Sequence, residues 1–437
     1  MTRPNIIFFF SDQQRWDTLG CYGQKMPVTP NLDKIAEGGT RFEYAFTCQP
    51  VCGPARACIQ TGLFATETGC YRNGIALSPT ANTIAKRLNS AGYETAYVGK
   101  WHLASTKRVT NYREIAIPEE LRGGYKDYWM AADLLEFTSD SQGGYVFDID
   151  GRKVEFGGYR ADRITDFALD YIRNQDGEKP FFLFLSHIEP HHQNNAGHYQ
   201  GPEGSRERWG GFDVPLDLVG TQGDWREEFA DYLGCCNSLD ENVGRVISLL
   251  EEKGILDNTI FIYTSDHGSH FKTRNGEYKR SCHESSIRIP MIITGGEFTG
   301  KGVQSNFASL IDIPKTILRC AGIEADDMQG RPLHEALDNA EDWENEAFIQ
   351  ISESQTGRAI RTADWKYAVS DKRPGYDDSG DSDVYTEECL FDLNNDYAEK
   401  NNLVFLPEYR EIKEMLRHKL LGKMALAREN PCKILET

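Results

Sequence analysis

The sequence predicts an α/β fold: a large, mostly parallel sheet sandwiched by helices, then a small antiparallel-sheet α+β subdomain at the C-terminus. Three observations predict it. Short apolar runs without alternation recur at Asn5–Phe10, Tyr93–Val98, Phe181–Leu185 and Thr259–Thr264, as strands buried on both faces require. Stretches with helical spacing separate them. After about residue 340 the texture changes to short strand-like runs and one amphipathic helix. The expected division is therefore 1–340 and 341–437.

Composition bounds the function classes. The 437 residues are 39% hydrophobic and 26% charged, with a net charge of −19. That balance argues against nucleic acid or an anionic membrane as partner. Any anion site must then be a local island of Lys, Arg and His. No apolar run approaches the roughly 20 residues of a membrane span. A chain that runs from Met-Thr-Arg-Pro straight into a strand is expected to be cytoplasmic. The eleven cysteines are scattered without a disulfide framework; ten are expected to be reduced and structural, and Cys52 is the exception.

Taken in order, Asn5–Phe10 is a buried strand that delivers Asp12 and Gln13 to its carboxyl end, the edge where ligands bind in doubly wound sheets. Thr29–Gly38 is a short helix with Pro near its start and Gly at its end. Cys52-Gly-Pro-Ala-Arg56 is a turn running into a helix-like stretch, which puts Cys52 near a helix N-terminus, where anions are favoured. Thr80–Ala91 reads as a helix. The strand Tyr93–Val98 ends in Gly99-Lys100-Trp101-His102, and continued extension would point Lys100 and His102 the same way. Residues 104–158 are Gly/Tyr-rich and irregular, an expected insertion over the active edge.

Ala161–Arg173 carries a helical stripe, Ile164, Phe167, Ala168, Tyr171 and Ile172. The strand Phe181–Leu185 ends in Ser-His187-Ile-Glu-Pro-His191-His192, with His192 expected to face solvent. Residues 193–225 read as loop. Arg226–Lys253 is the longest amphipathic helix. Thr259–Thr264 ends in Ser265-Asp266-His267-Gly268. The following polar stretch carries His270, Arg274, Lys279 and His283. Leu310–Gly322 is a helix closing the large domain. Asp377–Asp383 is acidic but lacks the closing Glu of a calcium loop; a solvated loop is expected there. A terminal helix follows Glu408.

Five of these motifs, in this order, resemble the type I sulfatases of the alkaline phosphatase superfamily. The C-x-P-[S/A]-R signal is matched by Cys52–Arg56, the strand–Asp start by Asp12-Gln13, and the G-K-W-H-L string by Gly99–Leu103. The metal motif is matched by Asp266-His267, and the K-R-x-x-x-E-x-S-x-R-x-P segment by Lys279–Pro290. Leu390–Leu403 resembles the family's C-terminal L-Y-D-L stretch. The resemblance runs from about residue 4 to the end and implies an alkaline phosphatase-like sheet.

It also implies a chemistry. Cys52 would be oxidised by a formylglycine-generating maturase, and the gem-diol would be the nucleophile. The metal would be held by Asp12, Gln13, Asp266 and His267, together with residue 52 itself, Cys52 in its matured form. Oxygen-rich ligands favour Ca²⁺, with Mg²⁺ or Mn²⁺ as alternatives because His267 is softer. Arg56, Lys100 and Lys279 would neutralise the sulfate, His191 would protonate the leaving oxygen, and His102 would take the proton that restores the aldehyde. His187, His270 and Arg274 are the substrate-binding candidates, with plain packing as their alternative. The expected substrate is a sulfate monoester of a mono- or oligosaccharide. The rival activities are phosphonate monoester or phosphodiester hydrolysis, and non-enzymatic binding through an unmodified Cys52.

Overall fold

In a computed structural model, which describes residues 3–106, 111–338, 340–373 and 379–437, the core is an eleven-stranded sheet. Its centre is parallel: Thr259–Ser265, Asn5–Asp12, Phe181–Pro190, Glu94–Lys100 and Tyr128–Ala132 lie side by side in that order. Met291–Thr294 adds antiparallel at one side.

The apolar runs explain this position. Every residue of Asn5–Asp12 and of Phe181–Pro190 is buried. Successive side chains leave opposite faces of a strand. Ile6, Phe8 and Phe10 enter one core, with Ile59, Ile84, Leu88 and Ile317. Ile7 and Phe9 enter the other, with Ile164, Ile172, Leu239 and Val243. The helices Cys52–Thr61, Ile84–Ser90 and Ile313–Cys320 therefore cover one face, while Arg160–Arg173 and Trp225–Glu252 cover the other. This is an alkaline phosphatase-like sandwich.

Three expectations are corrected. The helix expected at Thr80–Ala91 starts only at Ile84, because the Thr83 side chain accepts from Lys86 N and caps it. The described part of 104–158 is not irregular throughout. Tyr128–Ala132 extends the parallel sheet, and Gly143–Phe147 and Lys153–Gly157 form an antiparallel pair beyond it. Their aromatic and Gly content hid the alternation. Residues 193–225 contain the helix Ser205–Trp209.

The second sheet has five strands, in the order Glu346–Ile351, Gly357–Thr362, Trp365–Ser370, Val384–Asp392 and Lys433–Leu435. The first four are antiparallel neighbours. The helix Arg410–Leu426 buries Leu416, Leu420 and Met424 beside it. Of the acidic stretch Asp377–Asp383, residues 377 and 378 lie outside the described residues; Asp383 pairs with Arg373.

Candidate active site

The parallel topology brings Asp12, Lys100, His191 and Asp266 to one carboxyl edge, and the helix Cys52–Thr61 points its N-terminus at them. Cys52 is the first residue of that helix and is 2% exposed. Its Sγ lies 2.8 Å from Lys279 Nζ, 3.3 Å from His267 Nε2 and 3.4 Å from Asp12 Oδ1. Gly53 fits because Asn73 Oδ1, which accepts from Gly53 N at 2.9 Å, would sit 2.8 Å from any added Cβ. Burial and the Asp12 charge push the Cys52 thiol up to about 12, despite Lys279 and Lys100. A thiol so placed stays protonated at neutral pH and is a poor nucleophile as it stands.

Asp12 is fully buried, and its Oδ2 accepts from Arg56 (3.0 Å) and Lys100 (2.9 Å). Burial works against its charge, but Lys100, His191, Lys279 and Arg56 hold its carboxyl well below the usual carboxylate range. Arg56 also donates to Lys100 O and Ser186 Oγ. Lys279 Nζ lies 3.2 Å from His191 Nε2, and His191 Nδ1 lies 2.6 Å from His192 O. Burial, with Lys279 beside it, holds the His191 imidazole well below its ordinary range.

Asp12, Cys52, Asp266 and His267 offer ligand atoms within 4.8 Å of one another. Two buried oxygens at this place have no hydrogen-bond donor, Asp266 Oδ2 and Gln13 Oε1. Gln13 has φ 71°, and its Nε2 donates to Tyr199 Oη at 2.5 Å. That bond anchors the amide by its nitrogen and leaves its oxygen free for a cation. Unpaired buried oxygens are costly, and carboxylate, amide and imidazole donors suit a divalent metal. The residues present therefore fit one.

Lys100 and His102 reach the site differently from the expected alternation. The strand ends at Lys100, and His102 has φ 61°. Lys100 is fully buried beneath the floor, while His102 lines the cavity with an unpartnered Nδ1. His192 is half-buried rather than turned to solvent. It stacks on His191 at 4.4 Å, lies tilted against Tyr278 at 4.4 Å, and lines the same cavity.

The structure does not bring the three substrate-binding candidates to the cavity. His187 is fully buried, stacked on Phe9, with Nε2 3.3 Å from Thr165 Oγ1. Its strand alternation sends it to the opposite core. His270 is fully buried with Nε2 3.1 Å from Lys279 O. Arg274 donates to Ala398 O and Glu399 O, tying the Lys279 loop to the C-terminal subdomain. His270 and Arg274 hold structure around the site, and His187 packs in the core on the other face of the sheet.

Burial holds His187 and His192 near 3 and His270 near 4, with neighbouring cations adding to it at all three. An unfolded histidine titrates near 6.5. As pH falls below about 6.5 the unfolded chain takes up these protons first, so stability is lost progressively down to about 4 for His270 and about 3 for His187 and His192. The melting temperature is expected to fall steadily between pH 7 and 4, and less steeply in His187→Phe. An unchanged slope in that variant would show that His187 does not titrate on unfolding.

The cavity above Cys52 has a volume of about 500 Å³. Its lining includes Asn73, Arg113, Glu136, Phe137 and Tyr278, none of which the sequence reading singled out. Arg113, Glu136 and Phe137 lie in the segment read as insertion, where no motif marks them.

A metal-ligand cluster, a helix N-terminus and three buried cations around one side chain, at the carboxyl edge of such a sheet, define a hydrolase of oxyanion esters. A sulfatase family model matches residues 4–323, and a model described as N-sulphoglucosamine sulphohydrolase, C-terminal, matches residues 276–425. The chain belongs to the sulfatase family and is a sulfuric ester hydrolase. It is 28% identical to an N-acetylglucosamine-6-O-sulfatase of Bacteroides thetaiotaomicron, over 95% of this chain and 85% of that one. It is 29% identical to an ulvan-active sulfatase of Formosa agariphila, over 97% and 81%. The structure of BT4656 in complex with its substrate D-glucosamine-2-N,6-O-disulfate superposes with a TM-score of 0.79 at 26% identity, covering 98% and 99%. The YidJ protein of Bacteroides fragilis shares the fold, with a TM-score of 0.83 at 24% identity over 98% and 96%. Among the described residues, no helix is long and apolar enough to cross a membrane.

Proposed function

We propose that this enzyme hydrolyses a sulfate monoester of a saccharide, with formylglycine made from Cys52 by a maturase as nucleophile and Ca²⁺ as metal. The observation that carries this reading is the environment of Cys52: a protonated buried thiol on a helix N-terminus, within 3.4 Å of Asp12, His267 and Lys279. Such a thiol is badly placed to act itself, and well placed if its Cβ carries oxygen instead. The saccharide part is supported by the relatives, which act on N-acetylglucosamine sulfate and ulvan.

Asp12, Asp266, His267 and Gln13 Oε1 would hold the cation, which when bound acts as a Lewis acid toward the nucleophile's oxygen. Lys279, Lys100 and Arg56 neutralise the sulfate oxygens as the ester binds at the helix N-terminus. His191, with Lys279 Nζ 3.2 Å from its Nε2, is the source of the proton that the leaving alkoxide needs. His102, which lines the same cavity with a free Nδ1, accepts the proton whose loss restores the aldehyde. The enclosing aromatic and histidine side chains exclude water and strengthen each of these charge contacts.

Two measurements test this. Protein co-expressed with a maturase should show a loss of about 18 Da at Cys52 by peptide mass, as a CH₂SH becomes an aldehyde. The same sample should release sulfate from monosulfated hexosamines. Unmodified Cys52 in protein from its native host would defeat the formylglycine reading. Phosphodiester turnover exceeding sulfate release would shift the activity to the rival hydrolase. We place the enzyme in the cytoplasm, a reading supported by eleven cysteines that are all free.

A further inference from the structure

We propose that Glu136 reads the alcohol portion of the substrate, its carboxylate accepting a hydrogen bond from a sugar hydroxyl or N–H close to the sulfate ester. The inference rests on the sulfatase reading above and deepens it.

Glu136 is 6% exposed and lines the cavity that holds Cys52. Lys100 Nζ lies 3.3 Å from its Oε1, while its Oε2 has no hydrogen-bond partner. A buried carboxylate oxygen without a donor is expensive. Here it is also out of character. The cavity is built to hold an anion, and a carboxylate on its wall repels one. Lys100 offsets part of that cost at Oε1; at Oε2 it is offset when the ligand brings its own donor. Inorganic sulfate and a simple aryl sulfate bring none. A sugar sulfate carries hydroxyl or amide donors beside the ester.

The backbone that carries the carboxylate is held in place, and Lys100 holds its Oε1. Gln193 Nε2 donates to Glu136 O (3.1 Å) and Ser139 O (3.0 Å). Gln193 Oε1 in turn accepts from Arg160 (2.9 Å), whose Nε pairs with Glu189 Oε1 at 2.8 Å. Gln193, Arg160 and Glu189 are all buried. The next residue along, Phe137, is 42% exposed and lines the same cavity, with the Arg113 guanidinium 4.4 Å from its ring centroid. The single turn Leu135–Thr138 thus presents an acceptor and, beside it, a flat face of the kind on which a sugar ring stacks.

The test compares kcat/KM of the matured wild type and of Glu136→Gln on two esters. One is 4-nitrophenyl sulfate, which has no donor near the ester. The other is the best substrate among the monosulfated glucosamines and galactosamines. Losing a hydrogen bond to a charged acceptor should cost the saccharide ester about 10–100-fold. The aryl ester, which feels the change only through Lys100, should lose at least about tenfold less. Equal losses on both esters, or none on either, would overturn the inference while leaving the sulfatase reading intact. So would wild-type turnover of the aryl ester alone. Wild type inactive on every ester would defeat the sulfatase reading and this inference with it. If Glu136→Gln does not melt cooperatively, Glu136→Asp carries the test. It keeps the charge, retracts the acceptor by one methylene, and should show the same selective loss.

Discussion

Replacing Cys52 by alanine is expected to lower kcat for sulfate ester hydrolysis by about 10⁴-fold or more, the scale seen when a nucleophile is removed. The change deletes one atom that Lys279, His267 and Asp12 all contact. It should do little to the fold. Alanine is the best helix former, Cys52 is the first residue of its helix, and the lost volume opens onto an existing cavity. Asp12, Gln13, Asp266 and His267, which would still hold the proposed cation, stay in place, so metal content and melting temperature should stay near wild type. Those two controls, measured beside sulfate release, separate lost chemistry from lost structure. Residual turnover within tenfold of wild type would remove Cys52 from the nucleophile's role.

Chelation is expected to abolish turnover and to lower the melting temperature, and the thermal effect should grow with pH. Burial and the neighbouring Asp12 charge push the Asp266 carboxyl up to about 7, against 3.8 ordinarily. The cation-free folded protein therefore keeps Asp266 protonated at pH 5.5, and must bury its charge at pH 8. This contribution to stability is fully present below pH 3.8 and is lost as pH rises through 7. A bound cation reverses the preference by pairing with the ionised carboxylate. The melting temperatures with and without chelator should diverge more at pH 8 than at pH 5.5. Adding Ca²⁺ back should restore both activity and melting temperature. A divergence that is equal at the two pH values would place the cation away from Asp266.

The floor of the site was legible in the sequence, because its residues come from chain segments with strong local signals. Asp12, Lys100 and Asp266 each follow a buried apolar run, and Cys52 and Arg56 sit in one turn-and-helix pentapeptide. In a parallel sheet, runs of that kind deliver their ends to a common edge. The walls were not legible. His187 and His191 stand four residues apart in one histidine-rich string, yet one packs against Phe9 in the far core and the other meets Lys279. Likewise, His270 and Arg274 share a loop with Lys279 but turn toward the backbone of that loop and of the second subdomain. Composition cannot separate such neighbours, because strand alternation and loop path decide which way each one points.

By itself, then, the sequence determined the layered α/β architecture, the segments that form its buried strands, and the residues delivered to their ends. Those features follow from local hydrophobic pattern and from residues adjacent in the chain. Tertiary structure alone decided what surrounds them. It set Glu136 on the cavity wall with one oxygen unpaired, stacked Arg113 on Phe137, turned His192 inward, and brought Lys279 across 227 residues to Cys52. Each of these depends on contacts between segments distant in sequence. The energy that fixes them is gained only when the sheet has closed and the loops at its edge have packed together.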